Sequence, residues 1–144
     1  MYELIYRSTA ISTLSDNDIS DILEVSQKNN LENDITGCLL FYQNIFIQIL
    51  EGDEHKVKEL FEKIKTDKRH TNVILIAEAQ KKEPIFPNWS MAYHKLNNKD
   101  SDLANEFLFV NNLIVTSKLA SKPTRVSRLF WKMVLQLLEN KKIN

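Results

Sequence analysis

Tyr2, Leu4, Tyr6 and Ser8 alternate with Glu3, Ile5 and Arg7, a period of two that predicts a strand at the start of the chain. Ser15 followed by Asp18 has the form of a capping box, with Asp in the usual place of Glu. Behind it Ile19, Ile22, Leu23 and Ser26 recur at i, i+3, i+4 and i+7, which predicts a helix ending near Asn29-Asn30. Residues 35–42 and 45–51 read as two strands joined by a tight connection at Gln43-Asn44, a hairpin. Asp53 caps a second predicted helix, with Val57, Leu60, Phe61 and Ile64 on one face. Val73 to Ala77, β-branched and bounded by Asn72 and Glu78, predicts a fourth strand. Trp89 to Leu96, beyond Pro84 and Pro87, predicts a fifth.

The order β-α-β-β-α-β with one more strand predicts an α+β fold. Its core is ferredoxin-like, βαββαβ with an added fifth strand, two helices covering one face of a mainly antiparallel sheet. The polar run Asn97 to Asp102 ends that core. Residues 1–96 are therefore expected as one domain and 97–144 as a C-terminal extension of two helices, serving output or oligomerisation. In that extension Leu103, Phe107, Val110 and Ile114 share a helical stripe over 103–116. Ser121-Lys122-Pro123 opens a final helix over 123–139, with Val126, Leu129, Phe130, Met133 and Leu137 on one side. Trp131, Val134, Leu135 and Leu138 widen its apolar arc. So wide an arc must be buried, on the open face of the sheet or against another subunit.

Composition mainly excludes. Nineteen basic residues balance nineteen acidic ones, so no general electrostatic pull toward nucleic acid or an anionic membrane is expected. Lys122, Arg125, Arg128, Lys132, Lys141 and Lys142 charge the last helix, yet without interleaved exposed aromatics they give little reason to expect direct nucleic-acid binding. Two glycines, Gly37 and Gly52, are too few and too far apart for a glycine-rich dinucleotide fingerprint or a P-loop. Cys38 is alone, which forbids an intramolecular disulfide and a multi-cysteine zinc site. His55, His70 and His94 are not spaced as metal ligands, so no metal is expected. Apolar runs reach five residues, against about 20 for a membrane span. With no basic and apolar leader at its start, the chain is expected in the cytoplasm.

Several polar residues sit awkwardly in this pattern. Gln48 lies in the most apolar strand, with Phe46 and Leu50 on its face. Buried there, its amide must hydrogen-bond at both ends or cost about 1–3 kcal/mol; on an edge strand it would simply reach solvent. Tyr6 sits mid-strand with a hydroxyl that also needs a partner. The sheet order places its strand beside that of Gln48, so a Tyr–Gln pair is open to it, as is an ordinary core position. Asn29-Asn30 fits a left-handed helix end. Asp67-Lys68-Arg69-His70 reads either as a solvated turn complementing a negative helix end or as donors for a phosphate or ribose.

Six segments in order carry a resemblance. They are Leu4-Ile5-Tyr6-Arg7-Ser8; Asp21-Ile22-Leu23 leading to Ser26 and Asn29-Asn30; Ile35-Thr36-Gly37-Cys38-Leu39-Leu40; Phe46-Ile47-Gln48-Ile49-Leu50-Glu51-Gly52; Asp67-Lys68-Arg69-His70; and Trp89-Ser90-Met91. From about Tyr2 to Tyr93 the chain resembles the BLUF domain, a blue-light sensor that uses FAD. Its tail is similar to that of the short stand-alone members, which carry no fused enzymatic domain.

The resemblance implies a photoreceptor rather than an enzyme. Tyr6 is then the electron donor to the excited flavin, and Gln48 sits between Tyr6 and the ring. Asn30 hydrogen-bonds the polar edge of the ring, Ile22 and Ile64 sandwich it, and Ser26 joins the binding set. Lys63, Asp67, Arg69 and His70 lie near the ribityl and phosphate groups. Trp89, Ser90 and Met91 relay the change to the C-terminal helices. A homo-oligomer and a protein partner regulated by light are expected, with no membrane partner. The alternative from another class is a ferredoxin-like regulatory module, or a small acylphosphatase-like enzyme, that uses the same sheet without a chromophore.

Overall fold

The computed structural model describes residues 1–86, 92–95 and 123–143, with 92–95 and 138–143 as backbone only. The elements are β1 (Tyr2–Ala10), α1 (Asp16–Glu32), β2 (Thr36–Tyr42), β3 (Ile45–Gly52), α2 (Glu54–Thr66), β4 (His70–Gln80), β5 (Ala92–Lys95) and α3 (Arg125–Ile143). The strands form one sheet in the order β4-β1-β3-β2-β5. Neighbours among the first four are antiparallel, and β5 runs parallel to β2. This is the expected α+β, ferredoxin-like arrangement with its added strand. The expected relay positions Trp89, Ser90 and Met91, and the expected helix over 103–116, lie outside the described residues.

Local chemistry sets the boundaries. Ser15 and Asp18 close the capping box at the start of α1, each side chain bonded to the other's backbone. At its far end the helix continues past Asn29-Asn30 to Glu32, and Asn33 is the C-cap. The left-handed residue is Asp34, at φ 55°. The helix-end reading of Asn30 is thus corrected: the capping role falls three residues later, where Asn33 Nδ2 donates to the Asn29 carbonyl at 2.8 Å. Gln43 and Asn44, at φ 47° and 64°, make the two-residue hairpin turn whose twist matches the flanking strands. β4 is longer than the apolar run Val73–Ala77, because β1 offers pairing partners along its whole length and register shifts absorb the polar residues. At the start of α3, Ser127 N donates to Thr124 Oγ1 at 3.0 Å, so Thr124 rather than Ser121 or Pro123 caps the helix.

Side-chain alternation divides the core into two layers. Tyr2, Leu4, Tyr6, Leu39, Phe46 and Leu50 face α1 and α2, where Ile19, Val57 and Phe61 meet them. Ile5, Cys38, Leu40, Ile47 and Ile49 face the other way and pack with Ile85, Phe86, Val126, Phe130 and Val134. The C-terminal helix therefore lays Val126, Phe130 and Val134 on the face of the sheet turned away from α1 and α2, with Leu129, Trp131, Met133 and Leu137 partly buried beside them. Each large side chain so buried contributes about 1.5–3 kcal/mol. Cys38 belongs to this second layer, and burial pushes its thiol up to about 12. That keeps it protonated and makes it packing rather than a nucleophile.

Candidate functional site

β1 and β3 lie side by side in antiparallel register, and Tyr6 stands directly opposite Gln48. The row continues to Leu39 on β2 and to Leu75 on β4. β3 is an inner strand and Gln48 is only 5% exposed, which removes the reading of an edge glutamine reaching solvent. The Tyr6 hydroxyl donates to Gln48 Oε1 across the two strands. Burial raises the Tyr6 phenol far above its ordinary range, and the negative charge of Asp67 adds to the effect. The group is accordingly a neutral donor held away from bulk solvent.

Above this pair is a cavity of about 250 Å³ between the two helices. All ten residues expected at a cofactor site line it: Tyr6, Ile22, Ser26, Asn30, Gln48, Lys63, Ile64, Asp67, Arg69 and His70. Helix geometry explains the convergence. Ile22, Ser26, Asn29 and Asn30 recur at i, i+4, i+7 and i+8 on α1, and Leu60, Ile64 and Asp67 at i, i+4 and i+7 along α2 and its C-cap. Val25, Asn29, Leu39, Phe46 and Leu60 complete the lining and were not among the expected residues. Strand alternation could have found two of them, because Leu39 sits opposite Gln48 and Phe46 is two residues before it on the same face.

The polar end of the cavity is more tightly wired than the sequence suggests. Arg69 grips Asp67 with two nitrogens, Nε to Oδ1 at 3.0 Å and Nη2 to Oδ2 at 2.6 Å. The hydrogen bond from Arg69 holds the Asp67 carboxyl below its ordinary range. His70 Nε2 lies 2.5 Å from the Ile64 carbonyl oxygen. A carbonyl only accepts, so Nε2 carries a proton there. In the neutral ring Nδ1 then accepts from Ser8 Oγ at 2.9 Å. His70 thus complements the carbonyl end of α2 and ties that helix to β1 and β4 while its ring also lines the cavity. Lys63 is exposed and lies 3.7 Å from Glu59.

The residues fit a flat aromatic ligand with a polar rim. Along its 17 residues α1 buries only Ile19 and Asn30. Ile22 and Ile64 are only half-buried and line the cavity, Ile64 at the edge of the core layer. Asn30, 1% exposed, and Gln48 supply carboxamides that can donate and accept at the polar edge of a ring. Apolar walls with a few convergent polar groups define a ligand-binding module.

Comparison with known proteins names the class. The model of the BLUF family, sensors of blue-light using FAD, matches residues 1–92, and the chain belongs to that family. It is 35% identical over 89 residues to the photoactivated adenylate cyclase subunit beta of Euglena gracilis, covering 61% of this chain and 10% of the relative. It is 37% identical over 71 residues to the blue light- and temperature-regulated antirepressor BluF of Escherichia coli, covering 49% of this chain and 18% of that protein. The chain therefore spans only a small part of these curated relatives. Among solved structures, BlsA in its photo-activated state superposes with a TM-score of 0.68 at 30% identity, over 95% of this chain and 94% of that one. BlrP1 of Klebsiella pneumoniae superposes with a TM-score of 0.76 at 27% identity, over 93% of this chain and 32% of that one. Among the described residues no helix is long and apolar enough to cross a membrane.

Proposed function

We propose that the chain is a blue-light photoreceptor that binds FAD non-covalently between α1 and α2 and signals through protein contacts rather than by catalysing a reaction. The observation that carries the reading is the hydrogen bond from Tyr6 to Gln48 on the floor of that cavity. Ile22 and Ile64 would hold the ring from the two helices, with Asn30 and Gln48 at its polar edge and Ser26 beside them. Lys63, Asp67, Arg69 and His70 would lie along the ribityl and phosphate groups. Bound FAD supplies the absorption of blue light and an excited ring able to take up an electron.

The remaining work falls to the chain. A phenol that loses an electron becomes strongly acidic, and until then burial keeps the Tyr6 proton in place. Oε1 of Gln48 is the acceptor already within hydrogen-bond reach. Gln48 relays that proton and returns with its donor and acceptor ends exchanged, so an N–H points where an oxygen pointed before. No bond is consumed, and the cycle resets in the dark.

One exchanged hydrogen bond is worth about 0.5–1.5 kcal/mol, whereas a near-complete switch needs about 5.5 kcal/mol. The light signal therefore shifts a poised equilibrium several-fold, on the usual allosteric scale of about 1–3 kcal/mol. In this reading Trp89, Ser90 and Met91, just before β5, carry the shift to the C-terminal helices and to subunit or partner contacts. That an antirepressor stands among the relatives supports an output through a protein partner. The test is the pigment. The purified protein is expected to be yellow, with a flavin spectrum that moves red under blue light and returns in darkness. A colourless protein that takes up no FAD on reconstitution overturns the reading in favour of a chromophore-free module.

A further inference from the structure

The photochemistry uses one face of the sheet, and a buried ionic cluster on the opposite face is left without a role. Glu3 and Glu51 are cross-strand partners on β1 and β3, both fully buried. The ammonium of Lys81, 3% exposed, lies between them, 2.6 Å from Glu3 Oε2 and in contact with Glu51 Oε2. Burying charges is costly and is repaid only where every lone pair finds a donor. Glu51 meets that condition. Its Oε1 accepts from Thr36 Oγ1 at 2.7 Å and from Phe86 N at 2.6 Å. Its Oε2 accepts from Ile85 N at 2.9 Å and from Lys81 Nζ. Four donors fill the capacity of a carboxylate, and bonds to a charged acceptor are the strong kind.

What Glu51 holds is not another strand. Ile85 and Phe86 belong to the segment after β4, and both are 1% exposed. They pack in the layer of Val126, Phe130 and Val134, and the Phe86 ring meets the Phe130 ring edge-on at 6.3 Å and 81°. Gln48 and Glu51 are three residues apart on β3, about 10 Å along the strand and on opposite faces. A continuous set of contacts thus runs from Gln48 along β3 to the Glu51 carboxylate, on to the Ile85 and Phe86 amides, and from the Phe86 ring to α3.

We propose that Glu51 is a positioning residue that couples β3 to α3 through the Ile85–Phe86 segment, so that a change at Gln48 alters the packing of the C-terminal helix by this route. The coupling stands on the contacts above; its use by light rests on the photoreceptor reading. An apolar side chain at this place would hold the segment without direction, whereas a carboxylate gripping two successive amides fixes it to the strand.

The test is amide hydrogen exchange on the full chain, in darkness and under blue light, alongside the absorption spectrum. Glu51→Gln keeps the shape but puts an NH2 group against backbone donors. In darkness it is expected to speed exchange of the Val126–Val134 amides about tenfold while α1 and α2 are unchanged, and unchanged α3 exchange overturns the coupling. Under light the variant is expected to keep the full red shift of the wild type and to lose the light-minus-dark difference in α3. The double variant Glu3→Gln, Lys81→Met leaves the two amide bonds to Glu51 in place and is expected to retain that difference. A red shift lost together with the α3 difference, or an α3 difference that survives in full, overturns the relay. Should Glu51→Gln not fold, Phe86→Leu leaves the carboxylate intact and removes the ring contact with Phe130. It is expected to lose the same difference, and retention overturns the route. A wild-type protein without FAD overturns the photoreceptor reading alone, and the dark arm still decides the coupling.

Discussion

The two faces of the sheet solve opposite problems with the same alternating strands. Over Ile5, Cys38, Leu40, Ile47 and Ile49 the described residues pack solidly, with Val126, Phe130 and Val134 of α3 all at 0% exposure. Over Tyr6, Leu39, Phe46 and Gln48 two helices leave a cavity, and apolar Ile22 and Ile64 stay half-buried around it. The closed face takes its stability from packing within the chain. The open face leaves apolar area unclaimed, and a ligand that covers it stabilises the folded state by mass action. Polar residues are placed accordingly. On the open side Tyr6, Gln48 and Asn30 present groups that can exchange partners, whereas on the closed side Glu51 has every lone pair committed.

Substitutions can break this contrast. The largest effect is expected at the floor of the cavity. Tyr6→Phe keeps the ring volume and removes the hydroxyl, so FAD stays bound and the red-shifted state vanishes; Gln48→Ala is expected to do the same. Light-minus-dark absorption decides, and an ordinary photocycle in either variant refutes the assigned roles. Next comes Phe130→Ala on the closed face, expected to lower the unfolding free energy by about 3–5 kcal/mol. Urea unfolding with FAD titration would measure it, and a comparable loss of FAD affinity would erase the distinction between the faces. Asn30→Ala is expected to weaken FAD retention by about 1–3 kcal/mol, the range for an unmet buried polar group. Equal FAD dissociation rates in variant and wild type would return Asn30 to a plain helix residue.

The smallest effect is expected at the cavity rim. Arg69 lowers the Asp67 carboxyl below its ordinary range, first by its side-chain hydrogen bonds. A carboxyl depressed in the folded state contributes its stability above the ordinary carboxylate range, near pH 4, and loses it as pH falls through the lowered value. The two side chains are 41% and 31% exposed, so solvent screening limits the pair to about 0.2–1 kcal/mol. Asp67→Asn should flatten the pH dependence of the thermal midpoint below about pH 5. An undiminished slope would mean that the pair adds nothing to stability.

Much of the fold was legible because it rests on period. Alternation in β1 and the helical spacings of α1 and α2 specify which side chains share a face, and sheet order brings Tyr6 beside Gln48. The residues of the cavity came from the family resemblance rather than from period, and it passed over those of unremarkable type: Leu39 and Phe46 look like core wherever they stand. Polar residues misled more. Asn30 resembles a cap until Asn33 takes that task, and the ends of β4 resemble loop because shifted pairing, not hydrophobicity, extends the strand. Glu3 and Glu51 carry no local sign of burial. Their common partner, Lys81, lies 30 residues beyond Glu51, a separation that no window along the chain spans.

Gly37 has one more consequence. A methyl group there would sit 2.1 Å from the carbonyl oxygen of Ile49, the residue after Gln48. β2 is thus seated so close to β3 that no side chain fits between them at this point. The spacing of the two strands one residue from that carboxamide is therefore set by a missing side chain, and any larger residue at position 37 would have to push them apart.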